Sequence, residues 1–119
     1  MCWCGSLAGT RAARRLQELT PWRISVVTYM ELAQGCRDKT ELARLKKGLA
    51  ARQTEVLQIT PAVSQRAAEL IDALALSHGM RLADALIAAT AIEHAETLLS
   101  ANVKHFGAVS GLLLEAFAP

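Results

Sequence analysis

Between residues 80 and 106 the chain reads Met-Arg-Leu-Ala-Asp-Ala-Leu-Ile-Ala-Ala-Thr-Ala-Ile-Glu-His-Ala-Glu-Thr-Leu-Leu-Ser-Ala-Asn-Val-Lys-His-Phe, and no other stretch limits the fold as much. It reads as a helix that opens on a single carboxylate, Asp84, and runs apolar through Leu86, Ile87, Ala91 and Ile92. A short buried strand over 97–101 follows and brings Ser100, Asn102 and His105 to its carboxyl end. Ligand sites in open α/β sheets collect at that end of the strands. A lone Asp in the first turn of an apolar helix also has a plain structural explanation, as a cap or as an acid favoured by the helix dipole.

The composition fits one α/β domain spanning residues 1–119. The chain is 52% hydrophobic but only 4% aromatic, so its core must be built from Leu, Ala, Ile and Val, which suits helices packed on a parallel sheet. Thirteen basic against eleven acidic residues give a net charge of +2, which permits a nucleic-acid partner without arguing for one. There is no run of eighteen apolar residues and no start typical of a signal peptide, so a cytoplasmic protein with no membrane partner is expected. Cys2, Cys4 and Cys36 cannot all pair within one chain, which fits a reducing compartment. As half of a zinc site, Cys2 and Cys4 lack a second Cys or His pair at ligand spacing.

Taken in order, residues 1–9 show no clear period and are too short to hold a strand, a turn and a helix start. Thr10 can cap a first helix with Ala12, Ala13, Leu16 and Leu19 at helical spacing, ended by Pro21. A strand over 22–27 runs into Thr28-Tyr-Met-Glu31, which has capping-box spacing. Glu31 could simply close that cap; alternatively it is a second acid that, like Asp84, stands at a helix start. Gly35 ends the short helix, and a second one over 40–51 places Leu42, Leu45 and Leu49 on one face. With Arg37, Arg44, Lys46, Lys47 and Arg52, this is the most basic part of the chain, either a solvated face or a nucleic-acid or partner contact. A strand over 55–59 precedes Thr60-Pro61, an N-cap with proline at the first helical position. That helix runs to His78 and Gly79, with His78 read as a C-terminal cap residue. A last short strand is expected over 112–114. The strands and helices alternate as in a parallel sheet covered on both faces, except that the expected order opens on a helix.

The segments Ser25-Val-Val-Thr28-Tyr-Met-Glu31-Leu32 and Leu82-Ala-Asp84-Ala-Leu-Ile-Ala-Ala-Thr90-Ala, followed by Leu-Leu-Ser-Ala-Asn-Val-Lys-His-Phe, resemble the PIN-domain ribonucleases, most closely the VapC-type toxins of toxin-antitoxin pairs. The likeness runs from Arg11 onward. It implies a PIN-like three-layer α/β fold whose acidic pocket binds Mg²⁺ or Mn²⁺ and cleaves RNA by metal-activated water. By motif match Glu31 and Asp84 would be the metal-binding carboxylates, and Asn102 would take the place of the more variable polar member. Thr28, Ser100 and His105 would be supporting residues. Mg²⁺ is commonly held by one or two carboxylates plus waters, which explains the residue types. The resemblance also implies a homodimer and a tight complex with a VapB-like antitoxin.

The chain departs from that pattern at its beginning. Family members open with an apolar strand ending in Asp, the first metal ligand, whereas here no acid precedes Glu18, and Glu18 lies late in a helix. Aligning Leu7-Ala-Gly9 with the end of the family's first helix puts the absent Asp at or just upstream of Met1, as in a truncated or degenerate member whose first central strand is missing. Such a chain is expected to be a weakened or inactive nuclease; the alternative is a non-catalytic module that binds an antitoxin or itself. A smaller departure is Ala95, where relatives commonly carry Gly; a left-handed backbone there would cost about 1 kcal/mol.

Overall fold

The computed structural model describes residues 2–4, 22–100 and 106–116, with side chains over 22–98 and 106–115. Its elements are strand β1 (Cys2–Cys4), strand β2 (Arg23–Ser25), helix α1 (Val26–Gln34), helix α2 (Lys39–Ala51), strand β3 (Glu55–Leu57), helix α3 (Pro61–His78), helix α4 (Leu82–Glu93), strand β4 (Leu98–Ser100) and strand β5 (Leu114–Ala116). The strands form one sheet in the order β3-β2-β1-β4-β5, and every pairing is parallel. The expected helix over residues 10–21 lies outside the described residues.

The expectation that the central strand is missing does not hold. Cys2–Cys4 fills that slot, with Cys2 opposite Arg23 on one side and Cys2, Trp3 and Cys4 opposite Leu98, Leu99 and Ser100 on the other. The sequence hides this strand because Cys-Trp-Cys contains no β-branched residue and the run is three residues long. What selects it is the demand from both flanks. Without it the facing backbone donors and acceptors of β2 and β4 would be left unpaired inside the protein, at about 1 to 3 kcal/mol each.

Adjacent residues of β3 separate the two layers of core. Val56 packs with Trp22, Ile24, Leu49 and the half-buried Tyr29, Leu32 and Leu45, whereas Leu57 joins Val27, Val63, Ala67, Ile87, Ala88, Leu98 and Phe106. Successive strand residues point to opposite faces, so the sheet is covered on both sides, by α2 on one and by α3 and α4 on the other, while α1 contributes Tyr29 and Leu32 to the first layer and Val27 to the second. Helix α4 explains its own composition. Ala85, Ile87, Ala88, Ala89, Thr90 and Ala91 are all buried, which leaves room for nothing larger or charged along most of its circumference. Thr90 keeps its hydroxyl satisfied by donating to the Leu86 carbonyl at 2.7 Å.

Helix ends follow the sequence in some places and correct it in others. Thr60 caps α3 by accepting from the Val63 amide, Pro61 is its first residue, and Gly79 closes it in the left-handed conformation with φ at 65°. Helix α1, however, starts at Val26, capped by Ser25, not at the Thr28-to-Glu31 box. The side chain of Ser25, earlier in the chain than Thr28, takes the same amide-capping role. Helix α2 begins at Lys39, capped by Asp38, and β5 falls at Leu114–Ala116, two residues beyond the expected strand.

Candidate active site at the carboxyl ends of the strands

Parallel pairing puts Ser25, Cys4, Leu57, Ser100 and Ala116 at one end of the sheet. Helix α1 starts there because it continues directly from β2. Helix α4 also starts at this end, because its last turn connects through residues 94–97 to the opposite end of β4. The two helices pack against each other. The elements carrying Glu31 and Asp84 therefore meet, and both helices begin at the end of the sheet where ligands bind.

The two acids differ in setting. Glu31 is the sixth residue of α1, exposed, and about 7.5 Å along the axis from Val26 at the usual helical rise. Its reading as the closing member of a cap is excluded by that position. Asp84 is the third residue of α4, half-buried, and its first-turn position is favoured by the helix dipole. The residue before α4, Arg81, makes no side-chain cap, so Asp84 is the acidic group nearest that helix end.

Thr28 is buried, and the structure joins it to Ser25. The Ser25 hydroxyl accepts from the Thr28 amide at 3.0 Å and donates to the Thr28 hydroxyl at 3.3 Å, with Ser25 itself wholly buried. This pair fixes the bend from β2 into α1 and hence the placement of Glu31. Ser25 is the residue that reading the sequence as a Thr28 box overlooks; its signal is the three-residue spacing to Thr28. Ser100 ends β4, while Asn102 and His105 lie outside the described residues, between Ser100 and the buried Phe106. The side chains of Cys2 and Cys4, the half zinc site considered from sequence, are also outside them.

The donor chemistry of Glu31 and Asp84, hard carboxylate oxygen, fits a small divalent cation. Their number is low: among the described residues no three His, Cys, Asp or Glu side chains gather as a metal-binding group. A groove of about 350 Å³ between α3 and α4 is a separate, apolar feature, lined by Ala67, Ala68, Ile71, Leu82 and Leu86 with Ser64 and Asp72. Near its helices, Arg66 Nε donates to Glu93 at 2.5 Å, and this hydrogen bond, followed by the charge of Glu93, raises the Arg66 guanidinium further above its ordinary value. Among the described residues no helix is long and apolar enough to cross a membrane.

Residues 5–112 match the model of the PIN domain family. A search of curated proteins finds no match. Among solved structures, a chain of a toxin-antitoxin complex from Klebsiella pneumoniae is 24% identical, with 93% of each chain covered and a TM-score of 0.75. A chain of DNA-bound VapBC from Salmonella typhimurium is 19% identical over 98% of each chain, with a TM-score of 0.78. One of VapBC-1 from nontypeable Haemophilus influenzae is 25% identical, covering 87% of this chain and 82% of that one, with a TM-score of 0.69. With the sheet order, the flanking helices and the family match in agreement, the chain belongs to the PIN-domain family and has the fold seen in VapBC toxin-antitoxin structures.

Proposed function

We propose that this chain is a VapC-type toxin, an endoribonuclease that depends on Mg²⁺ or Mn²⁺, held in check by a VapB-like antitoxin in the cytoplasm. The observation that carries this reading is that Glu31 and Asp84 stand on two helices that pack together and both begin at the carboxyl end of the sheet. Glu31 and Asp84 would hold the ion. When bound, it supplies an activated water and offsets charge developing on the scissile phosphate. Glu31, exposed and on a helix pinned by the Ser25 and Thr28 hydrogen bonds, can reach a solvent-borne ligand without unfolding any core. Asp84 is held more tightly, in the first turn of a buried helix. Asn102 and Ser100 would orient the phosphate or a water by hydrogen bonding, and His105 would face the substrate.

The place of the family's first acid is revised by β1. The central strand ends at Cys4, followed by Gly5 and Ser6, so the expected Asp would fall at Cys4 or Gly5 and not at or before Met1. Neither is a carboxylate, and the parent chain should be a weak nuclease. The test is cleavage of structured RNA with Mn²⁺ by the parent, Asp84→Asn, Glu31→Gln and Cys4→Asp. Loss of cleavage in Asp84→Asn and Glu31→Gln is expected, and equal activity in parent and Asp84→Asn would remove Asp84 from the mechanism.

The absence of a three-acid cluster among the described residues favours a second reading, a PIN module that binds antitoxin or a second copy of itself and cuts nothing. Capture of the antitoxin together with no cleavage even at high Mn²⁺ would select it.

A further inference from the structure

We propose that the outward face of α2 is a sequence-independent binding surface for the phosphate backbone of single-stranded RNA, formed by Lys39, Arg44, Lys46 and Lys47. This rests on the nuclease reading only for the identity of the polymer. The charge on this chain is unevenly spread. Residues 37–52 hold six of its thirteen basic residues and two of its eleven acidic ones, leaving seven basic against nine acidic elsewhere. The segment is therefore strongly cationic on a molecule that is otherwise slightly anionic.

The two acids of the segment are used internally. Asp38 caps α2 by accepting from the Glu41 amide at 2.8 Å, and Glu41 accepts from the Arg37 amide at 2.8 Å and pairs with its guanidinium at 4.0 Å. Arg52 is also committed, stacked over Trp22 at 4.8 Å and bonded to the Gly48 carbonyl. Lys39, Arg44, Lys46 and Lys47 are all exposed, and none has an ion-pair or hydrogen-bond partner among the described residues.

Helical geometry puts these four on one side. With Leu49 buried and Leu42 and Leu45 half-buried, the inward stripe of α2 is fixed. At 100° per residue the four cations fall within one arc of about 160°, from Lys46 beside Leu42 round to Arg44, with Lys39 and Lys47 inside it, and between them lie only Thr40, Ala43, Ala50 and Ala51. Like charges at this spacing repel, which gives the helix nothing in isolation and is relieved by an external polyanion. Lys39 to Lys47 spans about 12 Å along the axis, a length on which consecutive phosphates of an extended strand can lie. No aromatic residue lies between 37 and 52, so the surface offers charge without a platform for base stacking. It would hold the polymer without reading its sequence.

The experiment uses the full chain in EDTA, so that no metal-dependent cleavage occurs, with a fluorescent 20-nucleotide single-stranded RNA and a duplex DNA of equal length, over 50 to 200 mM NaCl. The variant is K39Q/R44Q/K46Q/K47Q. Binding of the RNA is expected, and the slope of log K against log salt for RNA should fall by about 3 in the variant, close to 0.7 for each phosphate no longer neutralised. Lys47→Gln alone should lower the slope by about 0.7, and Arg66→Gln should leave it unchanged. An unchanged slope in the fourfold variant, or tighter binding of duplex DNA that is abolished in the same variant, would overturn the proposal. Absence of cleavage by the parent with Mn²⁺ would instead count against the nuclease reading alone.

Discussion

Ala95 and Gln53 hold backbone angles that suit neither. Their φ values are 52° and 53°, in the left-handed region where a Cβ crowds the neighbouring carbonyl. Ala95→Gly should raise stability by about 0.5 to 1 kcal/mol, seen as a higher urea midpoint with an unchanged m-value. Ser25 predicts the opposite sign. Ser25→Ala removes both the acceptor for the Thr28 amide and the partner of the Thr28 hydroxyl inside the core, and should cost about 1 to 2 kcal/mol by the same measurement. At this scale much was legible in the sequence. Thr60-Pro61, Gly79 and the left-handed strain at Ala95 all sit where residue chemistry puts them. Ser25 was harder to read because Ser and Thr cap helices by the same hydrogen bond, and two candidates three residues apart compete for one helix start.

At the scale of elements, local pattern marked the helices well and the strands poorly. Helices α2, α3 and α4 carry their periodicity over twelve to eighteen residues, whereas each strand is three residues long, too short for alternation to show. The central strand β1 is the extreme case, since its identity comes from its neighbours and not from Cys-Trp-Cys itself. That dependence can be tested on the backbone. Trp3→Pro removes a donor from a strand paired on both sides, and each orphaned partner inside the sheet should cost about 1 to 3 kcal/mol, read as a lower urea midpoint. Bracing between elements is more diffuse. Arg23 of β2 pairs with Glu55 of β3 at 3.1 Å and also with Glu96, joining two strands and the turn that leads into β4.

For the whole molecule, the family was legible before the fold was known, because the segments around Glu31 and Asp84 follow and precede strands in a fixed order. The place of the first acid was not, since it depends on which residues form a strand without any local sign of one. The revised place makes a prediction of gain. Cys4→Asp or Gly5→Asp should increase Mn²⁺-dependent RNA cleavage over the parent by tenfold or more, on the order of 1.4 kcal/mol of barrier, and Asp84→Asn should abolish the gain.

The position of β1 between β2 and β4 carries one more consequence. Glu31 stands on the helix that follows β2 and Asp84 on the helix that leads into β4, and those two strands lie two inter-strand steps, about 10 Å, apart. Hydrogen bonding sets that interval in whole strands and does not let it drift. Within that frame the reach of each side chain is a further adjustment, one methylene at a time, and glutamate on one helix with aspartate on the other is where such tuning would be written.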